Sequence, residues 1–198
     1  MLPFESLRTK VLPALIEARS RERGLNIWSA ACSTGQEPYT VAMIIREYFP
    51  ELGQWTCRIW ASDLARKVVE RARPGIYSQI EINRGMPAKL LVKYFRRERL
   101  KWILNDEIRG MIEFFELNLA RRWPSMVPMD LIFLRNALIY FDVETKRNIL
   151  AQVRRVLRPD GYLLLGNSET TLGVDDGFER LADDRGGWHQ LCGQEKAQ

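Results

Sequence analysis

The feature that most restricts the fold of this chain is an alternation that begins at residue 25. The apolar run "LNIWSA" leads into the polar loop "ACSTGQ", which leads into "EPYTVAMIIREYF", where Val41, Ile44, Ile45 and Tyr48 share one helical face. Pro38 suits a first helical turn, where its missing N–H costs nothing. The order then repeats, with "WTCRIWASD" as a strand and "LARKVVERARP" as a helix stopped ahead of Pro74. Strand, helix, strand, helix calls for parallel strands joined by crossover helices, so the expected fold is α/β with a doubly wound sheet.

The remaining segments extend that pattern. "MIEFFELNL" and "MDLIFLRNALIYF" read as strands running into loops, and "VETKRNILAQVRRVL" as an amphipathic helix. "GYLLLGNSE" reads as a strand after the turn Pro159-Asp160-Gly161, and "GGWHQLC" as a closing strand. Ahead of the first strand, residues 2–23 read as helical through Leu7, Val11, Leu12, Leu15 and Ile16, with Pro13 tolerated where a helix starts. Residues 74–112 interrupt the alternation; a helix from Ala88 to Arg97 and a strand pair around Trp102 and Ile108 would form an inserted subdomain.

Composition narrows the function classes. At 198 residues with 46% hydrophobic content and six Trp, the chain suits one domain with a buried core and appendages. No run approaches the ~18 apolar residues of a membrane span, and the first ten residues resemble neither a signal nor a transit peptide. The expected location is cytoplasmic. Three scattered Cys and a single His, His189, suggest neither disulfides nor a metal site. The net charge of +5 suits an acidic partner, but the basic residues are spread over several segments. Neither nucleic-acid binding nor membrane insertion is expected.

In an open α/β sheet, ligands bind at the carboxyl ends of the strands where strand order reverses, commonly against the first loop and helix. The loop "WSAACSTGQEPYT" holds that position with one glycine, Gly35, whereas a pyrophosphate site wants several so that amides approach the phosphates. Glu37 would repel a phosphate and attract an ammonium. Asp63, ending the second strand, lies where such folds bond ribose hydroxyls. A nucleoside with an amino-acid tail and no phosphate, S-adenosylmethionine, answers this description. Plainer roles exist beside these: Asp63 as a cap for a helix beginning at Leu64, Glu37 as a charge at a helix N-terminus, Asn118 as a turn residue, Tyr140 and Phe141 as core aromatics, Cys32 as a small filler and His189 as structural. Arg135 is harder to dismiss, because a charge at the end of the apolar run "LIFL" is costly to bury without a partner.

The loop, together with "ASDLARKVVERARPGIY", "KYF", "FELNL", "MDLIFLRNALIYFD" and "RPDGYLLLGNSE", resembles the chemotaxis receptor methyltransferases, the CheR family, from Pro3 to about Leu191. The Arg-Asn-x-x-Ile-Tyr-Phe segment is the most specific part. The resemblance implies a Rossmann-like fold of the class I methyltransferase type: a mostly parallel seven-stranded sheet with an antiparallel last strand and a small inserted antiparallel β-subdomain at about 76–112. It implies a linker helix over 1–24 and a methyltransferase domain over 25–198. It also implies that Ala30 and Glu37 line the methionine-tail side of the cofactor, that Ala31 and Gly35 are cofactor-binding residues of the same loop, that Asp63 holds the ribose and that Asn118 and Leu119 border the adenine. Arg135, Asn136 and Tyr140 would face the sulfonium methyl and an incoming carboxylate, with Arg135 and Tyr140 as the catalytic pair. Tyr140 would donate a hydrogen bond or pack near the methyl.

The implied reaction is methyl transfer from S-adenosylmethionine to glutamates in the cytoplasmic helical domain of chemoreceptors, giving a methyl ester and S-adenosylhomocysteine, with no metal and the enzyme a monomer. Family members carry a helical domain and a Thr-x-Phe-Phe-Arg segment ahead of the matched part, and without them closure over the cofactor is expected to be weaker. An S-adenosylmethionine sensor with little turnover, or a methyltransferase for another carboxylate, therefore stand as alternatives. The short stretch "RRERLKWILNDEIRGMIEF" has no glycine-rich extension, so docking on a receptor's C-terminal tether is not expected. Asn167 stands where the family commonly has His before Ser-Glu.

Overall fold

The computed structural model describes residues 2–182 and 186–193. Helix α1 (Leu2–Ser6) passes through a π-helical turn, Leu7–Val11, into α2 (Leu12–Ala18). The Leu12 N–H donates to the Leu7 carbonyl five residues back. The wide turn thus sits immediately ahead of Pro13, which has no N–H to continue the ladder. Leu7, Val11, Leu12 and Leu15 are all buried, so this helix belongs to the core.

Strand β1 (Gly24–Ser29) and helix α3 (Gln36–Tyr48) follow, then a 3₁₀ turn (Pro50–Gln54), β2 (Thr56–Asp63) and α4 (Arg66–Ala72). The inserted part holds β3 (Ile76–Ser78), α5 (Gln79–Ile82), α6 (Ala88–Tyr94), β4 (Phe95–Glu98), β5 (Lys101–Leu104) and α7 (Asp106–Arg109). The chain returns through β6 (Ile112–Glu116) and β7 (Met129–Leu134), a 3₁₀ turn (Leu138–Tyr140), α8 (Val143–Val156), β8 (Leu157–Leu165), β9 (Phe178–Arg180) and β10 (Trp188–Leu191). The main sheet has seven strands in the order β6-β2-β1-β7-β8-β10-β9, and β3-β5-β4 form a separate antiparallel sheet. The pairs β6–β2, β2–β1, β1–β7 and β7–β8 are parallel, while β10 runs antiparallel to both β8 and β9.

The apolar run of β7 is continuous because both faces of the sheet are covered. Ile27, Leu131, Phe133 and Leu164 join a core with α2, α3 and α4, whereas Trp28, Ile132, Leu134, Leu163 and Leu165 join a second core with Ile149, Leu150 and Val153 of α8. Successive residues point to opposite faces, so one chemical type fills both. From β1 the chain winds outward to β2 and β6, then crosses back to β7 and β8 on the other side. The reversal lies between β1 and β7, and it places the ends of those strands at the site.

Several local expectations are corrected. Tyr48 is 42% exposed, with the Arg8 guanidinium over its ring, and does not share the buried face. The inserted helix ends at Tyr94, and Phe95–Glu98 instead becomes a strand against β5. Ile108 is not in a strand but fully buried in α7. The Pro159-Asp160-Gly161 turn does not precede a strand; it forms a bulge inside β8, where Met129 faces Leu157 and Leu131 faces Tyr162. A Cβ on Gly161 would meet Leu157 Cδ1 at 2.8 Å and the Asp130 carbonyl at 3.0 Å, so glycine is required there. Strand β9 was not foreseen, since three residues carry no readable period.

His189 is buried in β10 with Nδ1 3.0 Å from the Gly187 carbonyl, and burial, helped by Arg180, pushes its pKa down. The folded state therefore prefers the neutral ring. Its contribution to stability is complete above the unfolded value of about 6.5 and falls as the pH drops below it. Because His189 is the single histidine, the urea midpoint of the wild type is expected to fall more between pH 7.5 and 5.5 than that of His189→Gln. Equal falls in both would contradict this.

Candidate functional site

A cavity of about 870 Å3 opens at the carboxyl ends of β1, β2, β6 and β7, bounded on one side by the inserted sheet. The loop after β1 is tied to the strands beneath it: the Ala30 N–H donates to the Phe133 carbonyl and the Cys32 N–H to the Ser62 carbonyl. Gly35 then turns the chain into α3 at φ +84°. A Cβ there would meet Ala72 Cβ and Tyr39 Cε2, each at 3.1 Å. Gly35 is buried behind the cavity wall and does not line it. Its contribution to the site is the turn and the close approach of the loop to α4. The other nine site residues expected from sequence, Ala30, Ala31, Glu37, Asp63, Asn118, Leu119, Arg135, Asn136 and Tyr140, all line the cavity.

Asp63 ends β2 and reaches back across the sheet edge. Its Oδ2 accepts from the Ser33 N–H at 3.0 Å, and Ser33 sits at φ +48°. The cap at Leu64 is not formed; α4 is capped at Ala65, and Asp63 Oδ1 is 3.4 Å from the Ala65 nitrogen. Asp63 also meets the turn after β6, where its carbonyl accepts from the Leu117 N–H at 3.0 Å. In that turn Asn118 Oδ1 accepts from the Ala120 N–H at 2.9 Å, so Asn118 shapes a turn and faces the cavity as well.

Glu37 enters from the first turn of α3. Ser29 Oγ donates to its Oε1 at 2.8 Å, and Arg135 Nη1 to its Oε2 at 3.0 Å. The two side chains are 15% and 23% exposed, so the pair faces the cavity and little else. Burial pushes the Glu37 carboxyl above the usual carboxylate range, against the opposing pull of Arg135 and Ser29. The Arg135 guanidinium lies 5.7 Å from the centre of the Phe4 ring. Its Nε is buried with no hydrogen-bond partner among the described residues. An orphaned charged donor is costly, and this one belongs to a side chain that lines the cavity.

Tyr140 stands at the mouth, 79% exposed, in the 3₁₀ turn. It is not a core aromatic. The Cys32 thiol is pushed up to about 12, chiefly by burial and then by the charges of Asp63 and Glu37. It is an inert filler. Among the described residues no cluster of His, Cys, Asp or Glu is arranged for a metal ion, and no helix is long and apolar enough to cross a membrane.

Three contributors were missed. Phe4 reaches the cavity from α1; its spacing of three from Leu7 on the helical stripe was the available signal. Tyr77 in β3 donates its hydroxyl to the Thr34 carbonyl at 2.9 Å, joining the inserted sheet to the loop after β1. Glu169, in the loop after β8, accepts from the backbone of the loop after β7. Pairings between distant loops leave no local pattern.

Two carboxylates and a guanidinium lining one cavity suit a ligand that is cationic or ammonium-bearing at one end. A second, anionic ligand would meet the guanidinium. Over residues 2–186 the chain matches the family model described as CheR methyltransferase, SAM binding domain. It is 41% identical over 183 residues to chemotaxis protein methyltransferase 1 of Pseudomonas aeruginosa, covering 90% of this chain and 66% of that one. It is 38% identical over 175 residues to the chemotaxis protein methyltransferase of Borreliella burgdorferi, covering 86% and 62%. The chain thus spans a little under two thirds of the length of the curated relatives it matches. A TehB-like SAM-dependent methyltransferase from Corynebacterium glutamicum shares the fold, with a TM-score of 0.50 at 15% identity over 85% of this chain and 73% of that one. On the family match and these identities, the chain belongs to the CheR methyltransferase family, of which it carries the SAM-binding domain.

Proposed function

We propose that this domain transfers the methyl group of S-adenosylmethionine to glutamate side chains in the cytoplasmic helical domain of chemotaxis receptors, giving a glutamate methyl ester and S-adenosylhomocysteine. The observation that carries the proposal is the Glu37–Arg135 pair lining the same cavity as Asp63. The donor set fits that cofactor. Glu37 meets an ammonium, Asp63 a pair of ribose hydroxyls, and Asn118 and Leu119 border a base. The loop after β1 has a carboxylate beside it, which suits a ligand without phosphate.

When bound, S-adenosylmethionine supplies an electrophilic methyl on a sulfonium. A glutamate carboxylate is already anionic at neutral pH, so the chain needs no general base. With S-adenosylmethionine bound, attack of the carboxylate oxygen on that methyl would break the sulfur–carbon bond and leave the electron pair on sulfur. No proton moves. The work left to the protein is orientation, for which a near-attack arrangement supplies about 7–11 kcal/mol. Arg135 aims the incoming carboxylate with the donors not engaged by Glu37, and Tyr140 stands at the mouth where the receptor helix would approach. Too tight a clamp on the carboxylate would favour the ground state, and sharing the guanidinium with Glu37 limits it.

The test is calorimetry with S-adenosylhomocysteine beside labelled methyl transfer to receptor signalling-domain fragments. Asp63→Ala is expected to weaken S-adenosylhomocysteine binding about tenfold or more, since it removes a charged hydrogen-bond acceptor worth about 1.5–3 kcal/mol and frees the Ser33 amide. Unchanged affinity would refute the ribose assignment. Binding without transfer in the wild type would point to a sensor instead.

A further inference from the structure

We propose that Glu169 is the positioning residue of this site: its carboxylate holds the loop after β7 in the conformation that presents Arg135 to Glu37 and the cavity. The proposal rests on the methyl-transfer reading for its kinetic consequence and on geometry for the rest. Oε2 accepts from the Asn136 N–H and the Gly166 N–H, each at 2.7 Å, and Oε1 from the Ala137 N–H at 2.8 Å and the Leu138 N–H at 2.7 Å. Four amides from two loops thus converge on one side chain, using both oxygens twice.

The held loop has a specific backbone turn. Asn136 sits at φ +56°, a left-handed conformation that Asn adopts more readily than most other non-glycine residues and that the clamp selects. The clamp is also closely fitted. A Cβ on Gly166 would lie 2.5 Å from Asn136 Oδ1, 2.6 Å from Glu169 Oε2 and 3.0 Å from the Asn136 nitrogen, so any larger residue would push the Glu169 and Asn136 side chains out of the clamp. Arg135 immediately precedes this loop, and Arg135, Asn136 and Ala137 all line the cavity. The direction of the guanidinium is therefore set through the backbone by a residue 34 positions away.

The scaffold does not depend on this clamp. Strands β7 and β8 stay paired through Leu131–Tyr162, Ile132–Leu163, Phe133–Leu164 and Leu134–Leu165, and those four β7 side chains are fully buried. Glu169→Gln is therefore expected to fold. Its amide keeps one acceptor oxygen and turns an NH2 donor toward the other two N–H groups, so half of the clamp is lost.

The experiment uses the whole chain, wild type and Glu169→Gln, with three readouts. Amide hydrogen exchange at residues 136–138 and 166 is expected to speed up about tenfold or more, with the amides of β1 and β7 unchanged, and the Arg135 Nε–H resonance is expected to shift or broaden. In receptor methylation kcat is expected to fall about ten- to a hundredfold, the scale of a misplaced reacting group, while S-adenosylhomocysteine affinity falls by less than kcat, because Asp63 sits on another element and a displaced Arg135 still leaves its charge near Glu37. Unchanged loop exchange, or kcat within about twofold of wild type, would overturn the assignment. So would a uniform rise in exchange across the sheet with a large fall in melting temperature, which would make Glu169 part of the scaffold only. If the wild type itself transfers no methyl, the functional reading fails, and the exchange and Nε–H readouts decide the role of Glu169 without it.

Discussion

Asp130→Ala is expected to cost about 3–5 kcal/mol of folding stability, the range for breaking a buried ion pair from one side. Asp130 is fully buried at the start of β7, at the end of the sheet away from the cavity. Its Oδ1 accepts from Arg19 Nε at 2.6 Å and lies 3.4 Å from Arg158 Nε, and its Oδ2 accepts from the Asn26 N–H at 2.7 Å. Removal strands the Arg19 guanidinium, itself 4% exposed, with the half-exposed Asp160 as its remaining partner. It also leaves the Asn26 amide without its acceptor. For a chain of this size the melting temperature should drop by roughly 6–20 °C. Calorimetry and urea unfolding would measure it, and a loss under about 1 kcal/mol would mean that Arg19 finds water instead. Replacing Asp130 and Arg19 together by Leu and Met should cost less than the two single changes added, because neither member of the buried pair is left without the other, while the half-exposed Asp160 turns to water and Arg158 keeps Glu22.

The same network has a pH signature. Hydrogen bonding to Arg19 holds the Asp160 carboxyl below its usual range. Its contribution is complete above the unfolded carboxylate value of about 3.9 and is lost as the pH falls below that toward the folded value. This network belongs to the scaffold alone. It ties α2, β1, β7 and the bulge in β8 together, which is why a polar bulge survives in an apolar strand.

None of this network was legible in the sequence. Arg19, Asp130 and Asp160 lie 111 and 141 residues apart as pairs and have no common spacing. What was legible was periodic or positional. The alternation of strands and helices dictated the doubly wound sheet, and the place of Glu37 and Asp63 after the first two strands followed from that topology. The errors fell where periodicity is short or interrupted. Phe95–Glu98 continued a helical pattern but became a strand because β5 offered it an edge, and Ile108 looked like a strand residue but turned inward on four residues of helix. The turn at Gly35 was legible in its loop, whereas its contact with Ala72 and Tyr39 behind the cavity wall is a packing fact that only the fold supplies.

On the proposed methyl-transfer reading, Arg135→Ala is expected to lower kcat/KM by about a hundred- to a thousandfold, the scale seen when a preorganised donor is removed from a reacting centre. Nη1 neutralises Glu37 at 3.0 Å, the guanidinium packs at 5.7 Å over Phe4, and Nε is buried with no partner among the described residues. A side chain this enclosed is oriented before any substrate arrives, so little entropy remains to be lost when a carboxylate docks. Truncation removes the donor for that carboxylate and also leaves Glu37 buried without its counter-charge, which should raise the Glu37 pKa further and favour its neutral form. Neutral Glu37 holds an ammonium poorly. The loss should therefore appear in both S-adenosylhomocysteine affinity and turnover, with the larger part in turnover. Arg135→Lys separates the two effects: a lysine restores the charge near Glu37 but not the planar fork that lies over Phe4 and aims a second set of donors. That variant should recover most of the S-adenosylhomocysteine affinity while staying below about a tenth of wild-type turnover. Full recovery of turnover by lysine would mean that Arg135 serves as a counter-charge to Glu37 and does not aim the incoming carboxylate.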